Sequence, residues 1–465
     1  MATSRPSSLN IAILAAGVGK RMRSRMPKVL RLLAGRPLLA HVLDTARKLA
    51  ADRICIVYGH GGDAVRKRFP DADLAWALQD PPLGTGHALA QALPQLAADG
   101  VTLVLFGADP LARVETLEAV VRHATQGALS LLTVELDNPS GYGRIVRRPD
   151  GEVQAIVEHK DATPQQHAIR EINSGVMAAP TECFARWLEA IDNRNASGEY
   201  YLTDVIGLAA KEGVPIRTTR AASVIETLGV NTMRELALLE RLYQRAQAEA
   251  LLDAGVTLAD PDRIDIRGTL ECGADVSIDV GCVFEGTVRL ADDVAIGSSC
   301  VLKDVTVEAG SQVLPFSHLD GATVGANCRV GPYARLRPGA VLADDVHIGN
   351  FVEVKASSIG RGSKANHLAY IGDRTIGAKV NFGAGSITAN YDGVNKHPTI
   401  IEDGASIGSN CVLVAPVRIG RGATIGGGST IAREAPADAL TVARARQVSL
   451  PGWTRPVKKP KVRKG

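Results

Sequence analysis

A six-residue rhythm in the second half of the chain limits its fold more than any other feature. Ile266, Cys272, Ile278, Phe284, Leu290, Ile296 and Leu302 stand six apart without a break. Val324, Val330, Leu336, Leu342, Ile348 and Val354 make a second run in a shifted register. Ile401, Ile407, Leu413, Ile419, Ile425 and Ile431 make a third. Small or β-branched residues stand two positions earlier, among them Val276, Val288, Val294, Ala322, Cys328, Ala334, Ala405, Cys411 and Val417. Glycine often follows the aliphatic, as at Gly297, Gly331, Gly349, Gly408 and Gly426. Nineteen positions on register are too many for coincidence. A period of six with inward aliphatics is the mark of a parallel β-helix, each face of a coil adding one side chain to a central stack.

The composition agrees with such a core. Aromatics are 4% of the chain, while glycine supplies 47 of 465 residues. An apolar content of 45% excludes disorder over most of the length. The seven cysteines are odd in number and form no CxxC, which argues against a disulfide framework or a zinc site. Cys272, Cys282, Cys300, Cys328 and Cys411 fall on the stack and read as small buried hydrophobes. The net charge of +4 comes from the end of the chain, where residues 455–465 hold six Lys or Arg and no acid. A basic tail on a nearly neutral body reads as solvated, with no nucleic-acid partner expected. No apolar run approaches the roughly 18 residues of a membrane span, and the start of the chain lacks a signal-peptide pattern. A cytoplasmic protein is expected.

The first half has a different texture. Short apolar runs beginning at Ile11, Ile54, Val101 and Leu129 read as buried strands, separated by helical patterns such as 38–50 and 114–123. This alternation argues for a Rossmann-like α/β domain with a mostly parallel sheet and ligands at the carboxyl ends of the strands. Residues 231–254 lack Gly and Pro and read as one long helix. The expected division is an α/β domain over 1–230, a helical linker over 231–254 and a repeat domain with a basic tail over 255–465.

Directly after the first strand comes Leu14-Ala-Ala-Gly-Val-Gly-Lys-Arg, with Lys28 a little further on. Backbone N–H groups in such a turn can approach phosphate, and Arg21 and Lys28 can neutralise it. The loop is neither a Walker A motif nor a GxGxxG fingerprint. It resembles the signature loop of sugar-1-phosphate nucleotidylyltransferases. Leu83-Gly-Thr-Gly-His-Ala, Gly141-Tyr-Gly-Arg, Ile156-Val-Glu-His-Lys, Glu171-Ile-Asn-Ser-Gly, Gly198-Glu-Tyr-Tyr-Leu-Thr-Asp and Gly229-Val-Asn follow in order. With the hexapeptide half and the closing Gly452-Trp-Thr-Arg-Pro, the whole chain is similar to the family of bifunctional N-acetylglucosamine-1-phosphate uridylyltransferase/glucosamine-1-phosphate N-acetyltransferases.

The resemblance implies a left-handed β-helix, a homotrimer, and acetyl-CoA, UTP and Mg²⁺ as donors and cofactor. It places the UTP and UDP-sugar site at Leu14, Ala15, Ala16, Gly17, Lys28, Gln79, Gly84 and Thr85. Phe106, Gly107, Gly143, Glu158, Asn173 and Asn231 complete that site, with Arg21 and Lys28 as the catalytic cations. In the repeat half it makes His367 the catalytic base and puts glucosamine 1-phosphate on Arg337, Lys355, Tyr370 and Asn381. Acetyl-CoA falls to Ala384, Asn390, Tyr391, Ser409, Gly427 and Arg444, with Lys396 in the same loop as Asn390. One departure concerns the metal. The family carries Asp where this chain has Ala108, and the carboxylate comes one residue later, at Asp109. In an extended strand that shift turns the side chain to the other face, so metal binding by Asn231 and Asp109 requires the chain to be turning already.

Two rival readings follow from the residues. One is a nucleotidylyltransferase whose β-helix only regulates or oligomerises. The other is a non-catalytic β-helix scaffold. The His367 and Asn390-Tyr391 segments speak against both.

Overall fold

The computed structural model describes residues 8–17, 19–59 and 61–458, so the basic residues after Lys458 lie outside it. The chain divides into two compact units, Met1–Gln247 and Ala248–Gly465.

In the first unit, strands β1 (Leu9–Leu14), β2 (Arg53–Gly59), β3 (Leu74–Gln79), β4 (Val101–Phe106), β5 (Leu129–Glu135), β6 (Glu171–Pro180) and β7 (Ile216–Arg220) lie in the order β7-β5-β6-β4-β1-β2-β3. Only β6 runs antiparallel to its neighbours in this row. Strands buried on both faces explain the unbroken apolar runs seen in the sequence. Ile11 and Ile13 of β1 enter one core, whereas Ala12 and Leu14 enter the core on the other face. Helices α1 (Leu38–Lys48), α2 (Thr85–Ala92) and α3 (Val114–Thr125) cover the sheet with one buried stripe each. The chain winds from β1 outward to β3, then returns to place β4 on the opposite side of β1. Strand order therefore reverses between β1 and β4, and such switch points open a crevice at the carboxyl ends of the strands. The 231–254 segment forms α4 (Met233–Asp253), started by a reciprocal cap. The Glu235 amide donates to Thr232 Oγ1 at 3.2 Å, and the Thr232 amide donates back to Glu235 Oε2 at 3.0 Å.

The second unit is built of parallel strands stacked coil on coil. Each coil passes through three strands, as at Gln312–Val313, His318–Asp320 and Thr323–Val324. Of the nineteen on-register positions, Cys272 alone is less than buried. The residues two positions earlier are buried as well, so each strand sends two side chains inward. Burial pushes the Cys272 and Cys282 thiols up to about 11 and that of Cys300 to about 12, which keeps them protonated packing groups.

The register shifts have a local cause. Leu302 to Val307, Leu319 to Val324, Val354 to Ile359 and Ile371 to Ile376 are steps of five rather than six. Each of these corners is turned by one residue in the left-handed region: Asp304, Gly321, Ala356 and Asp373, with φ between 43° and 57°. A corner one residue shorter moves the whole later pattern by one. A longer interruption falls between Ala389 and Thr399, where residues 390–398 leave the stack before the strand Thr399–Ile401 rejoins it.

Candidate functional site

The crevice at the β1–β4 switch point holds a cavity of about 570 Å³. Leu14, Ala15, Ala16, Gly17, Lys28, Gln79, Gly84, Thr85, Phe106, Asp109 and Asn231 line it, so most of the expected nucleotide residues meet there. The loop after β1 is pinned on both sides. Ala15 N–H donates to Val57 O at 2.8 Å, and Gly107 N–H donates to Leu14 O at 3.0 Å. Gly59 lies so close beneath that a Cβ would stand 2.6 Å from Ala16 O. Gly107 is absent from the wall itself; a Cβ there would press on Ala15 and Val29 at 3.1 Å, so its task is close packing under the loop.

Gln79 is buried, with Nε2 donating to Gly84 O at 2.8 Å. Gly84 takes φ 111°, where a Cβ would strike Tyr200 O at 2.6 Å. The Leu202 amide donates to Thr85 Oγ1 at 3.0 Å, which ties the start of α2 to the Gly198–Asp204 motif. Tyr142, Ser174 and Glu199 also line the cavity and had not been singled out, although each lies inside a quoted motif. Thr227 lines it too and carried no signal in the sequence. Gly143, Glu158 and Asn173 form a separate group. Asn173 N–H donates to Gly143 O at 2.9 Å, and Thr203 Oγ1 donates to Glu158 Oε1 at 3.1 Å. Burial raises the Glu158 carboxyl above its ordinary value.

The displaced carboxylate reaches the cavity. β4 ends at Phe106, and the next residues turn, with Asp109 N–H donating to Phe106 O at 3.2 Å. The Asp109 carboxylate lies against Gly229, where a Cβ would stand 2.4 Å from Oδ1. Val230 N–H donates to Ala108 O at 3.0 Å, which holds the Gly-Val-Asn segment beside it. Lys28 Nζ donates to Asn231 Oδ1 at 3.1 Å. Burial raises Asp109 to about 7 against the pull of Lys28. Burial also lowers Lys28, and Arg21 adds to that effect. Arg21 itself is exposed and does not line the cavity; it is near enough for its charge to be felt at Lys28. Ala108 contributes its methyl to the core.

In the second unit His367 sits at the end of the strand Lys364–His367, in a groove of about 310 Å³ with Arg329, His347, Asn350 and Asn366. Its Nδ1 is 2.8 Å from Asn350 Oδ1. An amide oxygen only accepts, so in this pairing Nδ1 donates, and in a neutral ring that leaves the lone pair on Nε2. Asn350 had been missed. Its only sequence cue is that it stands one coil below the histidine, in register with it.

Arg337, Lys355 and Tyr370 belong to the next run of strands, around the corner from this groove. Arg337 pairs with Glu353 at 2.8 Å, and Lys355 lies 3.7 Å from Asp373. Asn390 Nδ2 donates to Asp373 Oδ2 at 2.5 Å. Lys396 lies beside Lys355, whose ammonium holds it below the usual lysine range. Asp373 and the 390–397 loop thus bring two lysines together. Tyr391 is exposed, with its hydroxyl donating to Gly393 O at 2.5 Å. Asn381 stays on the strand run of His367.

The residues expected to hold acetyl-CoA follow one another up the stack. Asn410 N–H donates to Ala384 O, Gly428 N–H to Ser409 O, and Arg444 Nη1 to Gly427 O, each at 2.8 Å.

Fold and sites define a class: a sugar-nucleotidyltransferase domain joined to a hexapeptide transferase domain. Residues 11–196 match the MobA-like NTP transferase domain family. Residues 266–365 match the GMPPB C-terminal domain, and 398–433 the bacterial transferase hexapeptide family. The chain is 58% identical over 456 residues to the bifunctional protein GlmU of Nitrosospira multiformis, covering 98% of this chain and 99% of that protein. It is 60% identical over 452 residues to the GlmU protein of Chromobacterium violaceum, covering 97% and 99%. Against that of Herminiimonas arsenicoxydans it is 57% identical over 450 residues, again covering 97% and 99%. The chain belongs to the GlmU family of bifunctional uridylyltransferase and acetyltransferase enzymes. Among the described residues, no helix is long and apolar enough to cross a membrane.

Proposed function

We propose that the two units carry out successive steps in making UDP-N-acetylglucosamine. The second unit moves an acetyl group from acetyl-CoA to glucosamine 1-phosphate, and the first couples the product to UMP from UTP, releasing pyrophosphate. The reading rests on one observation above all: two separate sites, each with its own chemistry, in separately cored units. Residues 1–230 serve uridylyl transfer, 231–254 link, and 255–465 serve acetyl transfer. Both donors are cytoplasmic metabolites, and that is the compartment we assign.

Acetyl transfer needs a base for the attacking amine. His367 Nε2 takes that proton as nitrogen bonds to the thioester carbonyl carbon, and coenzyme A leaves as the thiol. Asn350 holds the tautomer. Arg337, Lys355 and Lys396 supply positive charge for the sugar phosphate, with Tyr370 and Asn381 orienting the ring. Asn390, Tyr391, Ala384, Ser409, Gly427 and Arg444 hold the acetyl donor.

His367 stands one coil above Lys355 and two above Arg337, on a different strand run around a corner from them. A small sugar phosphate touching both kinds of group draws them from two copies of the chain. This supports a homotrimer of left-handed solenoids with acetyl sites between subunits. A monomer with full acetyltransferase activity would refute it.

Uridylyl transfer needs no protein nucleophile: a phosphate oxygen of the sugar phosphate attacks the α-phosphorus of UTP, and pyrophosphate departs in line. Leu14–Gly17, Gln79, Gly84 and Thr85 hold the uridine end, Gly143, Glu158 and Asn173 the sugar, and Lys28 and Arg21 the phosphates. The site fits Mg²⁺, because the Asp109 carboxylate, which burial disfavours in its charged form, and the Asn231 amide oxygen line one cavity and are hard oxygen donors. Bound there, Mg²⁺ would offset the charge that builds on the phosphate oxygens.

The test uses both assays on one protein: free thiol from acetyl-CoA with glucosamine 1-phosphate, and pyrophosphate from UTP with N-acetylglucosamine 1-phosphate. His367→Ala abolishes the first and spares the second. Equal loss of both in a folded variant contradicts two independent sites.

A further inference from the structure

One inward stack of the solenoid contains a residue that the core does not need. Val288, Val305, Ala322 and Ala340 are followed, coil by coil, by Ser357, Arg374, Thr399 and Val417. Alanine fills this position in two coils, so a methyl group suffices for packing. Arg374 is nevertheless 4% exposed, and enclosing a guanidinium costs several kcal/mol unless it does something in return.

Its contacts show where its hydrogen bonds go. Nη1 donates to the carbonyls of Asp373 at 2.9 Å and His397 at 3.1 Å. Nε and Nη2 have no partner among the described residues, nor does the Thr399 hydroxyl across the strand pair. Burial brings the guanidinium down to about 10, still charged at neutral pH. His397 is where the extruded loop returns to the stack, one residue after Lys396, and its amide donates to Asn390 O at 2.9 Å. Asp373, the other carbonyl partner, is the residue whose carboxylate holds Asn390 and Lys355.

We propose that Arg374 is a positioning residue for acetyl transfer: from inside the solenoid it holds the returning foot of the 390–397 loop at His397 and so sets Lys396 beside Lys355 to receive the sugar phosphate. The proposal rests on the acetyltransferase reading of that loop. It separates Arg374 from a packing role, since alanine already fills this position in two other coils, at Ala322 and Ala340.

The experiment compares the full-length wild type with Arg374→Ala and Arg374→Lys. Amide exchange across 390–398 is measured, together with kcat and KM for glucosamine 1-phosphate and the uridylyl activity of the same samples. Arg374→Ala is expected to keep the wild-type melting transition and uridylyl rate. Its loop amides should exchange about tenfold faster or more, and KM should rise by about tenfold while kcat changes less, as expected for loss of charge-assisted hydrogen bonds of about 1.5 kcal/mol. Arg374→Lys, with one donor able to reach His397 O, should recover part of both effects. Unchanged exchange overturns the clamp. Faster exchange with an unchanged KM overturns the positioning role, and a raised KM without faster exchange overturns the mechanism. Should the alanine variant not fold, Arg374→Met, which keeps the stem without the charge, is judged by the same outcomes. A wild type inactive in acetyl transfer defeats the acetyltransferase reading, and loop exchange then decides the clamp alone.

Discussion

Removing Asn350 should slow acetyl transfer by an amount the geometry sets. Asn350 Oδ1 lies 2.8 Å from His367 Nδ1. While the ring is uncharged this bond joins two neutral groups. As Nε2 takes the amine proton the ring becomes an imidazolium, and the same bond becomes charge-assisted. Hydrogen bonds to charged groups contribute about 1.5–3 kcal/mol, and an exposed pair belongs at the low end of that range. The neutral bond is lost from the resting enzyme as well, so the net loss in the transition state is about 0.5–1.5 kcal/mol, which corresponds to about 2–13-fold in kcat. Asn350→Ala should show that loss in the thiol-release assay with little change in KM for either substrate, and with uridylyl transfer intact. Asn350→Asp places a carboxylate on the ring and favours its protonated form, so the acid limb of the pH–rate profile should move to higher pH. An alanine variant within twofold of wild type, or an aspartate variant with an unmoved acid limb, would show that His367 works without this partner.

Other expectations concern both units. Asp109→Ala should cost at least about tenfold in uridylyl transfer and raise the Mg²⁺ concentration needed for half-maximal rate, whereas Ala108→Asp should gain little, because the carboxylate already faces the cavity. If neither variant alters rate or metal dependence, this segment does not bind the metal. Gly349→Ala would put a Cβ 1.9 Å from Asn366 O and should cost about 1–3 kcal/mol in a thermal melt. Gly427→Ala, whose nearest contact would be Ser409 O at 3.4 Å, should stay within about 0.5 kcal/mol of wild type. Glu158 is raised by burial, so its contribution favours the folded state below the ordinary Glu range and is lost as pH rises through the raised value. Glu158→Gln should therefore melt progressively higher than wild type from acidic to neutral pH, and equal melting curves across that range would count against the burial argument.

The parts of this molecule that repeat were legible, and the parts that break a repeat were not. A side chain every sixth residue must point inward in a stacked solenoid, so Ile278 through Leu302 announced their own burial. Long apolar runs such as 101–106 did the same for a sheet covered on both faces. Of the expected nucleotide residues, the loop after β1 with Arg21 and Lys28 carried a physical cue, a Gly-containing turn where backbone can approach phosphate, whereas Gln79, Phe106, Glu158, Asn173 and Asn231 came from the family resemblance alone. Arg374 escaped because its partner lies across a loop, a distance with no sequence period, and Asn350 because one outward residue in register a coil below the histidine looks like any other in the repeat. Arg374 even occupies a position where the rhythm asks for something small. Asp109 showed the limit of strand alternation: the rule that it should face away holds only while the chain stays extended, and β4 stops at Phe106.

The solenoid corners have one more consequence. The strands of neighbouring coils pair over several residues, whereas a corner is tied to the one below by a single backbone bond, as from Asp304 N–H to Glu285 O at 3.1 Å and from Ala356 N–H to Pro338 O at 3.2 Å. A residue can be dropped there, as at Asp304 and Ala356, or several can be spliced in, as at 390–398, without misaligning the strand that follows. Length is thus free where sequence is read by a substrate and constrained where it is read by the core. A graft between Ala389 and Thr399 would inherit two anchored ends and a rigid floor, which makes this corner a ready socket for loops that recognise other acceptors.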